Sequence, residues 1–161
     1  MRIVIGLGAE DRGDDAAGLL VARLVAASAP PGVDVRECAG DAGTLLGLLD
    51  GAGRAILVDA ARGKAAGEVE RVPLNAVRPA AARSTHGLGL AEALAVGAEL
   101  GVVSSGAVRL YVVHGRVFDL GPPSTEVVAG VRAAAELILH DELGGARTRP
   151  GLSGRSRPDS G

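Results

Sequence analysis

The sequence of 161 residues has almost no aromatic side chains, a single cysteine and no long apolar run. Tyr111 and Phe118 are its only aromatic residues, so a core must be built from aliphatic side chains and alanine. The lone Cys38 excludes an internal disulfide and a cysteine-based metal cluster, and it is typical of a reducing cytoplasm. No segment reaches the roughly 20 apolar residues that a membrane-spanning helix needs, and the N-terminal apolar run is too short for a signal peptide. We therefore expect a cytoplasmic protein that does not contact a membrane.

The charges are nearly balanced, with 17 basic and 19 acidic residues and a net charge of −2. The chain has no sustained basic patch and no basic residues interleaved with aromatics, which argues against a nucleic-acid partner. Its hydrophobic content of 47% is too high for a wholly disordered chain. We predict one domain over residues 1–143. Residues 144–161 are rich in Gly, Ser, Pro and Arg without periodicity, which predicts a disordered tail.

Strand and helix patterns alternate along the predicted domain. Short apolar or alternating runs predict strands at 2–7, 33–38, 55–60, 67–74 and 108–113. Helical stripes lie between them: Ala16, Leu20, Leu24 and Ala27 in the first helix, and Val127, Val131, Ala134 and Ile138 in the last. The order β-α-β-α-β-β-α-β-α predicts the α/β class, with helices on both faces of a mostly parallel sheet. Pro73 predicts that 67–74 is an edge strand.

Acidic side chains and one histidine lie where the predicted strands end, and ligands of open α/β sheets bind at that edge. Asp59 closes an apolar run, and a buried carboxylate is costly unless it is paired or coordinated; it could equally cap a turn. Asp14 and Asp15 stand where an acid could cap the first helix. His86, at the start of a predicted helix, could bond a backbone carbonyl. Together Asp15, Asp59 and His86 form an O/N ligand set that suits zinc, nickel, manganese or iron.

Other chemistries fit the sequence less well. Gly6-Leu7-Gly8 begins like a dinucleotide-binding turn, but the third glycine position holds Asp11, which would repel a pyrophosphate. We therefore predict no nucleotide cofactor. The motifs of P-loop enzymes, serine hydrolases and zinc proteases are absent from the sequence. His114 and His140 are interpreted as incidental surface histidines.

Four segments match, in order and in register, the motifs of one known family. They are Ile3-Val4-Ile5-Gly6-Leu7-Gly8 with Gly13-Asp14-Asp15 and Gly18; Asp41-Ala42-Gly43-Thr44; Ile56-Leu57-Val58-Asp59-Ala60; and Ser84-Thr85-His86-Gly87-Leu88-Gly89-Leu90. The chain resembles the hydrogenase maturation proteases, which process the large subunit of nickel–iron hydrogenases. It departs from the family pattern at Ala9, Ala42 and Thr85, and in the polar loop Glu10-Asp11-Arg12.

This resemblance implies a fold, a site and an activity. The fold is a three-layer αβα sandwich with a mostly parallel twisted sheet, phosphorylase/hydrolase-like. Asp15, Asp59 and His86 would be the catalytic and metal-contacting residues, supported by the loop residues Gly8, Asp14, Asp41, Gly43 and Thr44. The activity would be that of a nickel-dependent endopeptidase, aspartic-type by family classification, which removes the C-terminal extension of the hydrogenase large-subunit precursor. The nickel would arrive with this protein substrate.

Two alternatives stay open at this point. A non-catalytic, chaperone-like subunit of the same fold could bind a nickel protein without cutting it. An unrelated small α/β metallohydrolase could act on small substrates without a hydrogenase partner.

Overall fold

The computed structural model describes residues 1–76, 87–104 and 106–144. Within these ranges lie nine regular elements: β1 (Arg2–Leu7), α1 (Ala17–Ser28), β2 (Val33–Cys38), α2 (Ala42–Leu49), β3 (Arg54–Ala61), β4 (Val69–Val72), α3 (Gly87–Glu99), β5 (Val108–His114) and α4 (Thr125–Leu137). A 3₁₀ turn (Gly13–Ala16) precedes α1, and a π-helical turn (Ile138–Glu142) follows α4. The order of elements is the one that the sequence predicts. The predicted tail, beyond Gly144, lies outside the described residues.

The five strands form one sheet in the order β2-β1-β3-β5-β4. The pairs β1–β2, β1–β3 and β3–β5 are parallel, whereas β4 is antiparallel to β5. The prediction of a mostly parallel sheet is therefore confirmed. The edge position of β4 is confirmed as well, and Pro73, which has no N–H for a strand ladder, directly follows its last residue. Because β1, β3 and β5 run in the same direction, their carboxyl ends meet at one edge.

Helices cover both faces of the sheet. On one face of the sheet, an apolar cluster joins α1 and α4 to strand residues such as Val4, Ile56 and Tyr111. On the other face, a second cluster joins α2 and α3 to strand residues such as Leu57 and Leu110. Successive residues of a strand alternate between these two layers. By this alternation Asp59, two residues after Leu57, faces the layer of α2 and α3. The predicted three-layer αβα sandwich is confirmed.

The two predicted helical stripes have different outcomes. In α4, Val127, Val131, Ala134 and Ile138 are all buried, as predicted. In α1 the predicted stripe is correct only at its start, because Ala16 is buried and Leu20 is half-buried, whereas Leu24 is 42% exposed and Ala27 is exposed. The buried residues within α1 are Ala17, Gly18, Leu19, Val21, Ala22 and Val25. The apolar residues of α1 occupy almost its whole circumference, so their periodicity does not define one face.

Among the described residues, no helix has both the length and the apolar character that crossing a membrane would require.

Candidate functional site at the carboxyl edge of the sheet

Close backbone packing fixes the start of α1 against the ends of two central strands. A Cβ atom on Gly18 would lie 2.2 Å from the carbonyl oxygen of Leu7 and 2.3 Å from that of Val58. Gly8 has a φ of +148°, and a Cβ atom there would lie 2.1 Å from the carbonyl oxygen of Asp15. No side chain fits at either contact. These two glycines therefore bring the turn that carries Asp15 to the end of β1, next to β3.

Asp59 lies near the carboxyl end of β3 and is completely buried. It is paired with Val112 of β5, one residue beyond the last pairing of β3 with β1, at Val58. Its Oδ1 atom accepts a hydrogen bond of 2.8 Å from the backbone N–H of Ala60. The predicted burial of Asp59 is confirmed. A carboxylate in this central position is expensive to desolvate, which is the property expected of a functional group rather than of a packing residue.

Asp15 lies in the 3₁₀ turn before α1 and is 3% exposed. Its Oδ2 atom accepts a hydrogen bond of 3.1 Å from the backbone N–H of Ala9. The residue at the helix N-cap is Ala16, and no side chain caps α1. Asp15 is therefore tied to the glycine-containing loop after β1. Since this turn packs against β3, the structure places the carboxylates of Asp15 and Asp59 on adjoining elements at one edge of the sheet.

Asp14 does not cap a helix, which corrects the interpretation of this residue from the sequence. It is fully buried and accepts four hydrogen bonds from the loop between β5 and α4. Its Oδ2 atom accepts the N–H groups of Arg116 at 2.8 Å and Val117 at 3.0 Å. Its Oδ1 atom accepts the N–H and the hydroxyl of Ser124 at 2.7 and 2.8 Å. Asp14 thus anchors the loop 115–124 beside Asp15.

The electrostatic state of Asp14 follows from these contacts. Burial alone would raise the pKa of its carboxyl group, but the hydrogen bonds from Val117, Ser124 and Arg116 outweigh burial and hold the pKa below its ordinary value. The group is therefore a charged anchor at neutral pH. The sequence could not reveal this role, because the partners lie about a hundred residues further along the chain.

The predicted supporting loop after β2 builds the start of α2. Asp41 is the N-cap of α2, and its Oδ1 atom accepts a hydrogen bond of 2.8 Å from the N–H of Thr44. This bond holds the pKa of Asp41 below its ordinary value. Gly43, in the first turn of α2, has only the Asp41 side chain near its Cβ position, at 3.8 Å. All three residues are exposed, so they shape the loop without contributing a buried charge.

His86, the third predicted metal-contacting residue, lies outside the described residues. The helix α3 begins at the next residue, Gly87, and α3 packs on the layer that Asp59 faces. Among the residues that the structure describes, no three His, Cys, Asp or Glu side chains are grouped so that they could hold a metal ion. The described part of the site is thus two buried carboxylates, and the set of three stays a prediction.

His114 is not a surface residue, which is a second correction. It is 1% exposed, and its Nε2 atom lies 2.9 Å from Oε2 of Glu70. The same carboxylate oxygen lies 3.2 Å from Nζ of Lys64. This contact with His114 is the main cause that holds the pKa of Glu70 below its ordinary value. His114 was misread because β5 extends one residue further than predicted, and period-two alternation then turns its side chain to the layer of α2 and α3.

His140 agrees with the prediction of a surface histidine. Its side chain is 37% exposed, and its Nδ1 atom lies 2.6 Å from Oδ1 of Asp141.

Comparisons with solved structures find the same fold in proteins of known activity. The [NiFe] hydrogenase maturation protease HybD from Thermococcus kodakarensis superposes with a TM-score of 0.70 and 27% identity, over 86% of this chain and 97% of that one. HycI, a [NiFe] hydrogenase maturation protease from the same organism, gives 0.65 and 28%, over 86% and 90%. The hydrogenase maturating endopeptidase HybD from E. coli gives 0.72 and 22%, over 87% and 90%.

Sequence comparison alone finds less. No protein-family model matches the sequence, and no curated protein matches it significantly.

The fold and its carboxyl edge define the class: this is an α/β domain with the fold of the hydrogenase maturation endopeptidases. More particularly, the chain is a structural relative of the [NiFe] hydrogenase maturation proteases HybD and HycI over most of its length, so the resemblance predicted from the sequence is confirmed.

Proposed function

We propose that this protein is a cytoplasmic processing endopeptidase, which removes the C-terminal extension from the nickel-loaded precursor of a [NiFe]-hydrogenase large subunit. The observation that carries the proposal is the pair of buried carboxylates, Asp15 and Asp59, at the carboxyl edge of a sheet. That sheet is shared with maturation proteases at 27% and 28% identity. A pair of buried acids on adjoining elements is expected where the chemistry requires them, because packing alone disfavours them.

The nickel belongs to the substrate in this proposal. Asp15, Asp59 and His86 contact it when the precursor binds, and oxygen and imidazole nitrogen ligands suit such an ion. The two carboxylates need no metal of their own to stay in place. Each accepts a described hydrogen bond from a backbone N–H, from Ala9 or from Ala60. The site is therefore held ready by the fold, and the loaded precursor completes it.

The aspartate side chains supply the proton transfer of the hydrolysis. A carboxylate of Asp15 or Asp59 takes a proton from a water molecule as its oxygen attacks the carbonyl carbon of the scissile peptide. The C–N bond then breaks, and the leaving amine receives a proton from the same carboxyl group. The products are the mature large subunit with a new C-terminal carboxylate and the released peptide. This is the sense in which the enzyme is of the aspartic type.

Exposed apolar side chains beside the site fit a protein substrate. Leu120 is 85% exposed and Val117 is 48% exposed, and both lie in the loop 115–124 that Asp14 anchors. The backbone of this loop also pairs with the segment before α1, through hydrogen bonds between Gly13 and Gly121 and between Gly121 and Asp11. The loop 115–124, held next to Asp15 by these bonds, thus offers apolar contacts to the precursor.

A processing assay tests this proposal. The full chain is incubated with a nickel-loaded and with a nickel-free large-subunit precursor, and mass spectrometry measures loss of the C-terminal peptide. We expect cleavage of the loaded precursor alone, no cleavage by Asp59→Asn, and normal cleavage by Asp50→Asn, a matched change of an exposed acid at the end of α2.

Each outcome of the assay has a separate meaning. Cleavage of the nickel-free precursor would show that the protein is a peptidase that does not require nickel. If the precursor stays intact but co-purifies with the protein, the protein is a nickel-protein-binding subunit and not a peptidase. If there is neither cleavage nor association with a cognate precursor, the proposed function is wrong.

A further inference from the structure

Four arginines lie in a row at the amino edge of the sheet, opposite the candidate active site. They are Arg2 of β1, Arg54 of β3, Arg109 of β5 and Arg71 of β4, one on each of four neighbouring strands. Side chains two residues apart on a strand point to the same face of the sheet. Arg2, Arg54 and Arg109 each lie two residues before a member of the cluster under α1 and α4, namely Val4, Ile56 and Tyr111, and Arg71 is paired with Tyr111. All four therefore belong to the face that α1 and α4 cover.

Contacts within the fold explain only part of this row, chiefly at Arg2, whose Nη1 atom donates to the carbonyl oxygen of Leu143 at 3.4 Å, and at Arg54. Arg2 and Arg54 are directly paired in the sheet, and like charges on paired residues destabilise a sheet. One buried acid balances part of the charge: Glu142, 7% exposed, has its Oε2 atom 3.6 Å from Nη2 of Arg54. Its Oε1 atom accepts a hydrogen bond of 2.6 Å from the Tyr111 hydroxyl. Glu142 is thus already engaged by Tyr111 and Arg54.

Among the described residues, no acid forms an ion pair with Arg71 or Arg109. In the part of the chain that the structure describes, neither guanidinium group has a carboxylate within 4.0 Å. Arg109 donates from Nη1 to the carbonyl oxygens of Gly106 at 3.1 Å and Val108 at 3.3 Å. These bonds hold one end of the guanidinium group against the backbone, while its other N–H donors have no described partner.

A cavity lies against these cations. It has a volume of about 360 Å³ and is lined by Arg54, Arg71, Arg109, Tyr111, Leu137, Asp141 and Glu142. A neighbouring cavity of about 270 Å³ shares two of these residues, Arg71 and Arg109. The two arginines thus stand between two openings. The volume of the first cavity falls near the lower end of the range of small-molecule sites, about 300–1,000 Å³.

We propose that Arg71 and Arg109 bind a small oxyanion with two or more negative charges, of the phosphate or the polycarboxylate class, in this cavity. A guanidinium group offers paired N–H donors that match two oxygens of such a group. The π-helical turn that carries Asp141 and Glu142 closes one side of the cavity, and helices with this irregularity are frequent at binding sites. Asp141 and Glu142 offset part of the positive charge, but each already has a partner: His140 contacts Asp141 at 2.6 Å, and Tyr111 and Arg54 contact Glu142. This site is independent of the peptidase chemistry at the other edge.

Calorimetry with two probes tests the site without any assay of processing. The full chain is titrated with inorganic pyrophosphate and with citrate, at low and at physiological ionic strength. We expect saturable binding of one probe molecule per chain with a Kd of about 1 mM or below at low ionic strength. Arg71→Gln and Arg109→Gln should each weaken binding about tenfold or more, because each removes a charged hydrogen-bond donor.

The matched control is Arg36→Gln, which removes the same charge from β2, where Arg36 pairs with Asp34 at 3.0 Å. It should bind both probes normally. Both test variants should keep the thermal midpoint of the parent, since neither arginine engages Glu142. Binding of pyrophosphate alone assigns the phosphate class and binding of citrate alone assigns the carboxylate class. The absence of saturable binding, an equal loss in Arg36→Gln, or binding of an acidic polypeptide without either probe would overturn the proposal.

Discussion

The two edges of the same sheet hold their buried acids in different ways. At the carboxyl edge, backbone N–H groups donate to Asp14, Asp15 and Asp59, and a serine hydroxyl also donates to Asp14. At the amino edge, Glu142 is held by the side chains of Tyr111 and Arg54. Backbone donors have positions that the fold fixes, whereas side-chain donors can change rotamer. The comparison indicates that the fold preorganises the described acids of the carboxyl edge, whereas the surroundings of Glu142 at the amino edge can adapt.

The largest expected effect is on activity at the carboxyl edge. Asp15→Asn, Asp59→Asn and His86→Ala should each lower the rate of precursor processing by at least about a hundredfold, because the proposed mechanism assigns proton transfer or nickel contact to each of these side chains. Single-turnover mass spectrometry of the released peptide measures the rate. The exposed variant Asp50→Asn should process normally, and equal rates in all four variants would contradict the assignment of the site.

The next effect concerns the close packing that builds this edge. Gly18→Ala should lower the free energy of unfolding by about 3 kcal/mol, because its Cβ atom would overlap two backbone carbonyl oxygens. Urea denaturation measures the change. The control is Gly47→Ala in α2, where a Cβ atom meets nothing within 4 Å. The free energy of unfolding of that variant should rise by about 0.5–1 kcal/mol, because alanine has a higher helix propensity than glycine. If both variants have similar free energies of unfolding, the backbone around Gly18 relaxes to accept the added Cβ atom at little cost.

Asp14→Asn tests the rigid anchor at the carboxyl edge. An amide group would point two hydrogens at N–H donors, so we expect a loss of about 2 kcal/mol in the free energy of unfolding at pH 7. The folded pKa of Asp14 is below its unfolded value. Its stabilisation is therefore complete above the unfolded pKa and is lost as the pH falls through the folded pKa. The difference between parent and variant should shrink below about pH 4; a difference independent of pH would contradict the charged anchor.

The smallest effect is expected at the amino edge. Tyr111→Phe removes one donor from Glu142 but leaves Arg54, so the loss should be about 1–2 kcal/mol in the free energy of unfolding. Adding Glu142→Gln should recover part of this loss, because a neutral amide costs less to bury than a carboxylate. If the double variant is less stable than Tyr111→Phe alone, Glu142 depends mainly on Arg54.

The sequence predicts most of the fold because its strand signals are local. The run that ends in Asp59 predicts both a central strand and the burial of its carboxylate. The stripe of α4 is confirmed, and the charged residues Glu126, Arg132 and Glu136 lie on the exposed side of that helix. The stripe of α1 is wrong at Leu24 and Ala27 because alanine, valine and leucine surround that helix, and the Gly18 contact then selects its orientation. Local patterns contain no information on such a contact between distant segments.

The candidate site likewise contains residues whose surroundings the sequence predicts and residues whose surroundings it does not. The predicted burial of Asp59 is confirmed, and Asp15 is buried as well although the sequence did not predict it. The grouping of both with His86 stays a prediction, since His86 lies outside the described residues. Asp14 was misread because a helix cap is a local explanation and its real partners are remote. His114 was misread because its burial depends on the exact end of β5. Residues whose roles depend on long-range contacts are those that one sequence predicts least well.

The contacts of Asp14 also set the order in which the molecule can become complete. Its partners Arg116, Val117 and Ser124 follow it by 102, 103 and 110 residues. A ribosome must therefore synthesise β5 and the loop after it before the carboxyl edge can close, and a chain stopped just before Ser124 would leave Oδ1 of Asp14 without its two described donors. Contacts of such long range form late in folding. The edge that would cut the partner is thus assembled only when nearly the whole domain has emerged.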